Sequence, residues 1–126
     1  MLPAALRMRR SEEFARTIRS GARAGRTTLV VHCAVDTAHR EPHIGFVVSK
    51  GVGGAVVRNQ VRRRLRGAVL EHRDQVPAGT DVVVRALAPA ASASYEDLSS
   101  DLRSALGSAL RRARGGRAPA GPVGTP

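Results

Sequence analysis

Apolar positions along this chain recur with two different spacings. Leu98, Leu102, Leu106 and Leu110 return every fourth residue, which lines one face of a helix, and Ser94 with Asp97 three residues on has the form of a capping box at its start. Val57, Val61, Leu65, Ala68 and Val69 gather on one side of a second helix, predicted from about Ala55 to about Arg73. A shorter helix is predicted near the start. Ser11 is its expected N-cap, Glu12 and Glu13 fill the first turn, Phe14 and Ile18 share a face, and Gly21 ends it. Runs of β-branched and apolar residues predict strands at Thr28 to Val35, His43 to Ser49 and Asp81 to Leu87, the last continuous enough to be central in a sheet. Val76-Pro-Ala-Gly79 separates the second helix from that strand, and Pro89 stops the strand.

The predicted order is helix, two strands, helix, strand, helix, with a third early strand if the 36–42 region hides a split. This is an α+β chain, a two-layer α-β sandwich with too few strands for a doubly wound nucleotide fold. The last two helices should cover one face of the sheet. How far the first helix covers the other face decides whether a groove exists there. With 126 residues, 42% of them hydrophobic, the chain can bury one modest core. A single domain over residues 1–114 is expected, followed by a disordered Gly/Pro-rich basic tail at 115–126.

Charge changes the picture. The chain has 21 Lys+Arg against 10 Asp+Glu, a net charge of +11, and the excess is segregated. Residues 1–26 carry +5, residues 50–70 carry +6 with no acid, and residues 110–126 carry +4. On the predicted second helix Arg58, Arg62 and Arg66 form one row with Asn59 and Arg63 beside them, opposite the apolar side, and Lys50 precedes the row. Exposed helices normally interleave acids four residues away from cations, and like charges at that spacing repel. A row left unmatched therefore points to a polyanionic partner.

The nature of that polyanion can be narrowed. A helix-turn-helix would need a helix just before the basic one, where a strand stands instead. Aromatic residues make up only 2% of the chain, too few for a multi-ring platform for single strands. Recognition of shape and phosphate suits a folded RNA.

Other chemistries find little support. Gly51-Val-Gly53-Gly54 after a strand suggests a dinucleotide loop, but the third glycine of that motif would fall at Val56, and no Gly-Lys-Ser/Thr follows. His32, His39, His43 and His72 are scattered, and Cys33 is alone, so neither a zinc site nor a disulfide is expected. The acid pairs Glu12-Glu13 and Glu96-Asp97 fit helix first turns, and no catalytic residue is assigned. No apolar run reaches the roughly 20 residues of a membrane span, and no secretory signal is read, which points to the cytoplasm.

These residues resemble one family, the protein subunit of bacterial ribonuclease P. The resemblance runs from Ser11-Glu-Glu-Phe14 through Val47-Val-Ser-Lys50, Ala55-Val-Val-Arg-Asn59 and Arg62-Arg63 to Asp81-Val-Val-Val-Arg85 and Tyr95-Glu-Asp-Leu98. It implies a small mixed sheet in which the basic helix joins two parallel strands by a left-handed crossover. It further implies that the chain is the auxiliary subunit of a tRNA-processing endonuclease whose catalytic RNA, with bound Mg2+, hydrolyses the phosphodiester. By this resemblance Lys50, Arg58, Asn59, Arg62, Arg63 and Arg66 contact the catalytic RNA, with Arg64 a weaker candidate on the flank. Phe14, Ile18, Val30, His32 and Val47 line a cleft for the 5′ leader of precursor tRNA. No metal ligand in the protein, organic cofactor, membrane or obligate protein partner is implied. This chain departs from the family's usual residues at Gln60, Gly51 and Gly54, and at Ile18 and His32, where aromatic residues are common. A ribosomal or RNA-assembly protein of the same fold is the alternative reading, and a self-sufficient nuclease would need metal-binding acids near the basic face.

Overall fold

The computed structural model describes residues 6–8, 10–35 and 41–115. Helix α1 spans Ser11–Ser20, with Arg10 rather than Ser11 at its N-cap. Glu13 turns back to accept the Arg10 backbone N–H at 3.4 Å, so the acids of the first turn serve the helix start as the sequence suggests. Strand β1, Ala22–Gly25, follows at once. The sequence reading missed it, and sought an extra strand around 36–42 instead, where residues 36–40 lie outside the described residues. Ala22-Arg-Ala-Gly25 has too little apolar character to register as a strand on its own. It becomes one by pairing antiparallel with β2, Leu29–Ala34.

Strand β3 covers His43–Val47, helix α2 Ala55–Glu71, strand β4 Asp81–Ala86 and helix α3 Tyr95–Gly115. A short 3-10 turn, Lys50–Val52, leads into α2. The Asp97 N–H donates to Ser94 Oγ at 3.0 Å, as the capping pattern before α3 requires. The expected tail beyond Gly115 lies outside the described residues.

The sheet runs β1-β2-β4-β3 and is mixed: β2 and β4 are antiparallel, while β3 and β4, joined through α2, are parallel. Side chains alternate between its two faces. Leu29, Val31 and Cys33 of β2 share one face with Val82, Val84 and Ala86 of β4 and with Ile44 of β3. Val61, Leu65, Ala68 and Val69 of α2 close over them together with the leucine row of α3. Leu65, Leu98 and Leu102 are fully buried, and burial of each contributes about 2 kcal/mol.

The junctions are polar. Tyr95 Oη donates to Glu71 Oε1 at 2.8 Å and Ser99 Oγ donates to the same oxygen at 3.1 Å. These bonds hold the Glu71 carboxyl below its ordinary pKa and push the Tyr95 phenol up. Asp101 Oδ2 accepts from both the backbone N–H and the hydroxyl of Thr28, which fixes α3 to the start of β2. The opposite sheet face carries Val30 and His32, Val83 and Arg85, and Gly45 and Val47. Helix α1 packs on it over β2 and β4. Among the described residues no helix is long and apolar enough to cross a membrane.

Candidate nucleic-acid interface

Helix α2 presents the cations as its periodicity demands. Lys50, Asn59, Arg63 and Arg66 are exposed, and Arg58 and Arg62 are half-buried. Arg62 Nη1 donates to Asn59 Oδ1 at 3.3 Å, and the Arg58 Nε is buried with no protein partner. Among the described residues, ion pairs join Arg10 to Glu12, Arg16 to Asp81 and His43 to Glu13. None of these reaches the α2 row, so its positive charge has no ion-pair partner among the described residues. Arg64 differs from its neighbours: its Nη1 donates to the Ala93 carbonyl at 2.9 Å, which ties α2 to the segment before α3.

The row opens onto the α1 side of the sheet. The N-terminal segment lies along the free edge of β3, where Arg7 forms a parallel bridge with Ile44 and the Met8 N–H donates to the Ile44 carbonyl at 2.9 Å. Between this segment and α2 is a pocket of about 170 Å3 whose walls include Arg7, Phe14, Gly45, Phe46, Arg62 and Arg66. Arg62 and Arg66, placed on one predicted site, and Phe14, placed on the other, therefore line the same pocket. Phe14 occupies its place because residue 45 is glycine: a Cβ there would overlap the Phe14 ring.

The other residues predicted for the leader cleft differ in exposure and do not line this pocket. Ile18 is 36% exposed and Val47 is half-buried, whereas Val30 and His32 are 4% and 2% exposed. Val30 and His32 are thus almost closed off from solvent. Burial, with Arg85 and Arg23 nearby, holds the His32 pKa below its ordinary value, so the imidazole is neutral at pH 7. The register places Arg85 between Val30 and Val47 on this face, half-exposed and with its Nε unpartnered. Sequence reasoning counted Arg85 only as part of a strand. A lone arginine in the run Asp81-Val-Val-Val-Arg-Ala-Leu87, at a position where alternation turns the chain to the α1 face, was the available signal.

A second grouping also escaped the sequence. Ligand atoms of Glu13, His43 and Asp81, from α1, β3 and β4, all lie within 4.8 Å of one another. His43 Nδ1 is 3.0 Å from Glu13 Oε2, and Arg16 Nη2 stands 3.9 Å from the fully buried Asp81. The cluster ties α1 to the sheet and could hold a metal ion, although the Arg16 guanidinium already brings positive charge to it. The α2 row does not suit magnesium, which takes oxygen ligands, because residues 50–70 hold six cations and no carboxylate. Cys33 is buried and its thiol is pushed up to about 12, which makes it inert.

Comparison with known proteins decides the family. The family model described as Ribonuclease P matches residues 2–110. This chain belongs to the ribonuclease P protein family. The ribonuclease P protein component of Beutenbergia cavernae is 60% identical over 116 residues, covering 90% of this chain and 96% of that protein. That of Kocuria rhizophila is 51% identical over 112 residues, covering 89% and 98% respectively. Among solved structures, the RNase P protein of Staphylococcus aureus superimposes with a TM-score of 0.74 at 25% identity, over 82% of this chain and 94% of that one. The RNase P protein of Thermotoga maritima shares the fold, with a TM-score of 0.68 at 20% identity, over 78% of this chain and 92% of that one. Membership of the ribonuclease P protein family agrees with the mixed sheet and the basic α2 between parallel strands described above.

Proposed function

We propose that this ribonuclease P protein divides one continuous surface between two RNAs, with the α2 row on the catalytic RNA and the α1 side of the sheet on the 5′ leader of precursor tRNA. The observation that carries this reading is the shared pocket, where Arg62 and Arg66 of the α2 row meet Phe14 of α1. Lys50, Arg58, Asn59, Arg62, Arg63 and Arg66 hold phosphates of the catalytic RNA. Phosphate contacts fix register without reading sequence, which suits a subunit that positions a folded RNA. Phe14, Ile18 and Val47 contact the leader on the sheet face that also holds Val30 and neutral His32, and Arg85 offers that strand one positive charge.

The chain is the auxiliary subunit of the endonuclease. The catalytic RNA and its magnesium ions supply the phosphodiester hydrolysis that frees the mature tRNA 5′ end. The protein binds and orients the leader, and no organic cofactor enters. Its place of action is the cytoplasm, where precursor tRNA is processed. The test is cleavage of precursor tRNA by the cognate RNA at low magnesium with and without this chain. Faster cleavage with the chain is expected, and equal rates would refute the assignment.

A further inference from the structure

Two cationic blocks from opposite ends of the chain meet at the sheet edge farthest from β3. Strand β1 is an outer strand, and α3 packs along it. Arg112 Nη1 donates to the Arg23 carbonyl at 2.6 Å across a separation of 89 residues. Beside this contact, Ser108 Oγ accepts from Arg26 Nη2 at 2.9 Å and from Arg111 Nη2 at 3.2 Å, so two guanidinium groups converge on one hydroxyl. Arg111, Arg112 and Arg114 are exposed and Arg26 is half-buried, whereas the Arg23 side chain lies on the other sheet face, beside His32. No acid occurs in residues 14–35 or 102–115, and among the described residues no ion pair reaches these arginines. The nearest α3 carboxylate, Asp101, is engaged by Thr28.

Charges of one sign held this close repel, and an anion bound across them would relieve the repulsion. The chain's aromatic residues, Phe14, Phe46 and Tyr95, lie on α1, β3 and the start of α3, so this edge offers phosphate contacts without stacking. Strands β1 and β3 stand at opposite edges of a four-stranded sheet, about 14 Å apart at ordinary strand spacing. A backbone lying along the α2 row by β3 therefore leaves this edge free. We propose that the β1–α3 edge is a second docking surface for the backbone of the catalytic RNA, which takes a stretch of its sugar-phosphate chain distinct from the one held by α2, because α3 packs beside α2 on the sheet face away from the leader residues. The choice of RNA as the anion rests on the ribonuclease P reading.

The test is a combined Arg111→Gln, Arg112→Gln, Arg114→Gln variant, bound to the cognate catalytic RNA and, in the reconstituted holoenzyme, to precursor tRNA. The salt dependence of each binding step and the hydroxyl-radical footprint on each RNA are measured. The expected result is a salt slope lowered by about 2, at roughly 0.7 to 0.9 per lost phosphate contact. Protection should also be lost at a segment that Arg62→Gln leaves protected. That segment should belong to the catalytic RNA, and protection lost on precursor tRNA alone would overturn the choice of occupant. An unchanged slope and footprint on both RNAs would overturn the proposal. Thermal unfolding checks that the variant is folded, and single Arg111→Gln, with an expected slope change of about 1, carries the same test if the combined variant is not. Failure of the ribonuclease P reading itself would show separately, as wild-type protein that does not accelerate cleavage.

Discussion

Phe14 shows how one residue's role depends on another that has no side chain. The space its ring fills against β3 exists because position 45 is glycine, and that places an aromatic ring in the wall of the pocket shared with Arg62 and Arg66. Gly45→Ala should push the ring out of place, at a cost of about 1–3 kcal/mol. Phe14→Ala, which leaves the backbone undisturbed, should reduce the preference for leader-bearing over mature tRNA while affinity for the catalytic RNA holds. Competition binding with the two tRNA forms measures this, and an undiminished preference in Phe14→Ala would remove the ring from leader recognition.

Helix α2 works as an element because its two faces have separate duties. Its apolar face is fixed by Val61, Leu65, Ala68 and Val69 in the core, so the cationic face is held out, with no ion-pair partner among the described residues. Neighbouring arginines on this helix are nevertheless not equivalent. Arg62→Ala and Arg66→Ala should each lower the salt slope of RNA binding by about one phosphate contact's worth. Arg64→Ala should leave that slope nearly unchanged and instead cost about 1–2 kcal/mol of stability, since it removes the bond to the Ala93 carbonyl. Titrating RNA binding against salt, beside denaturant unfolding of the free protein, separates the two effects.

Across the whole molecule, burial of a titratable group on the sheet face links folding to pH. His32 has its pKa held below the ordinary 6.5 in the folded state. Above about pH 6.5 it is neutral in both states and contributes no pH dependence. As pH falls below that value the unfolded chain binds the proton first, so stability declines until the folded-state pKa is passed. Glu71, held below its ordinary 4.5, adds its own loss only in more acid solution. Denaturant unfolding at pH 7.5 and 5.5 should therefore show lower stability at the acid end, and His32→Leu should flatten the difference; an equal decline in His32→Leu would assign it to other groups.

Local chemistry made much of this protein legible in its sequence. The i+4 rows of α2 and α3, the capping serine before α3 and the continuous apolar run of β4 are properties of neighbouring residues, so they could be read before any fold was known. The segregation of charge and the absence of acids around the Arg row are equally sequence properties, and they pointed to RNA. Tertiary structure decided what depends on distant partners. Ala22–Gly25 is a strand because β2 pairs with it. Arg62 and Phe14 share a pocket because the N-terminal segment, β3 and α2 meet there. Glu13, His43 and Asp81 converge because three elements end together, and Arg23 meets Arg112 because α3 returns along β1. Periodicity records which side of its own element a residue occupies, whereas sheet order and helix packing determine which residues from other elements it will face.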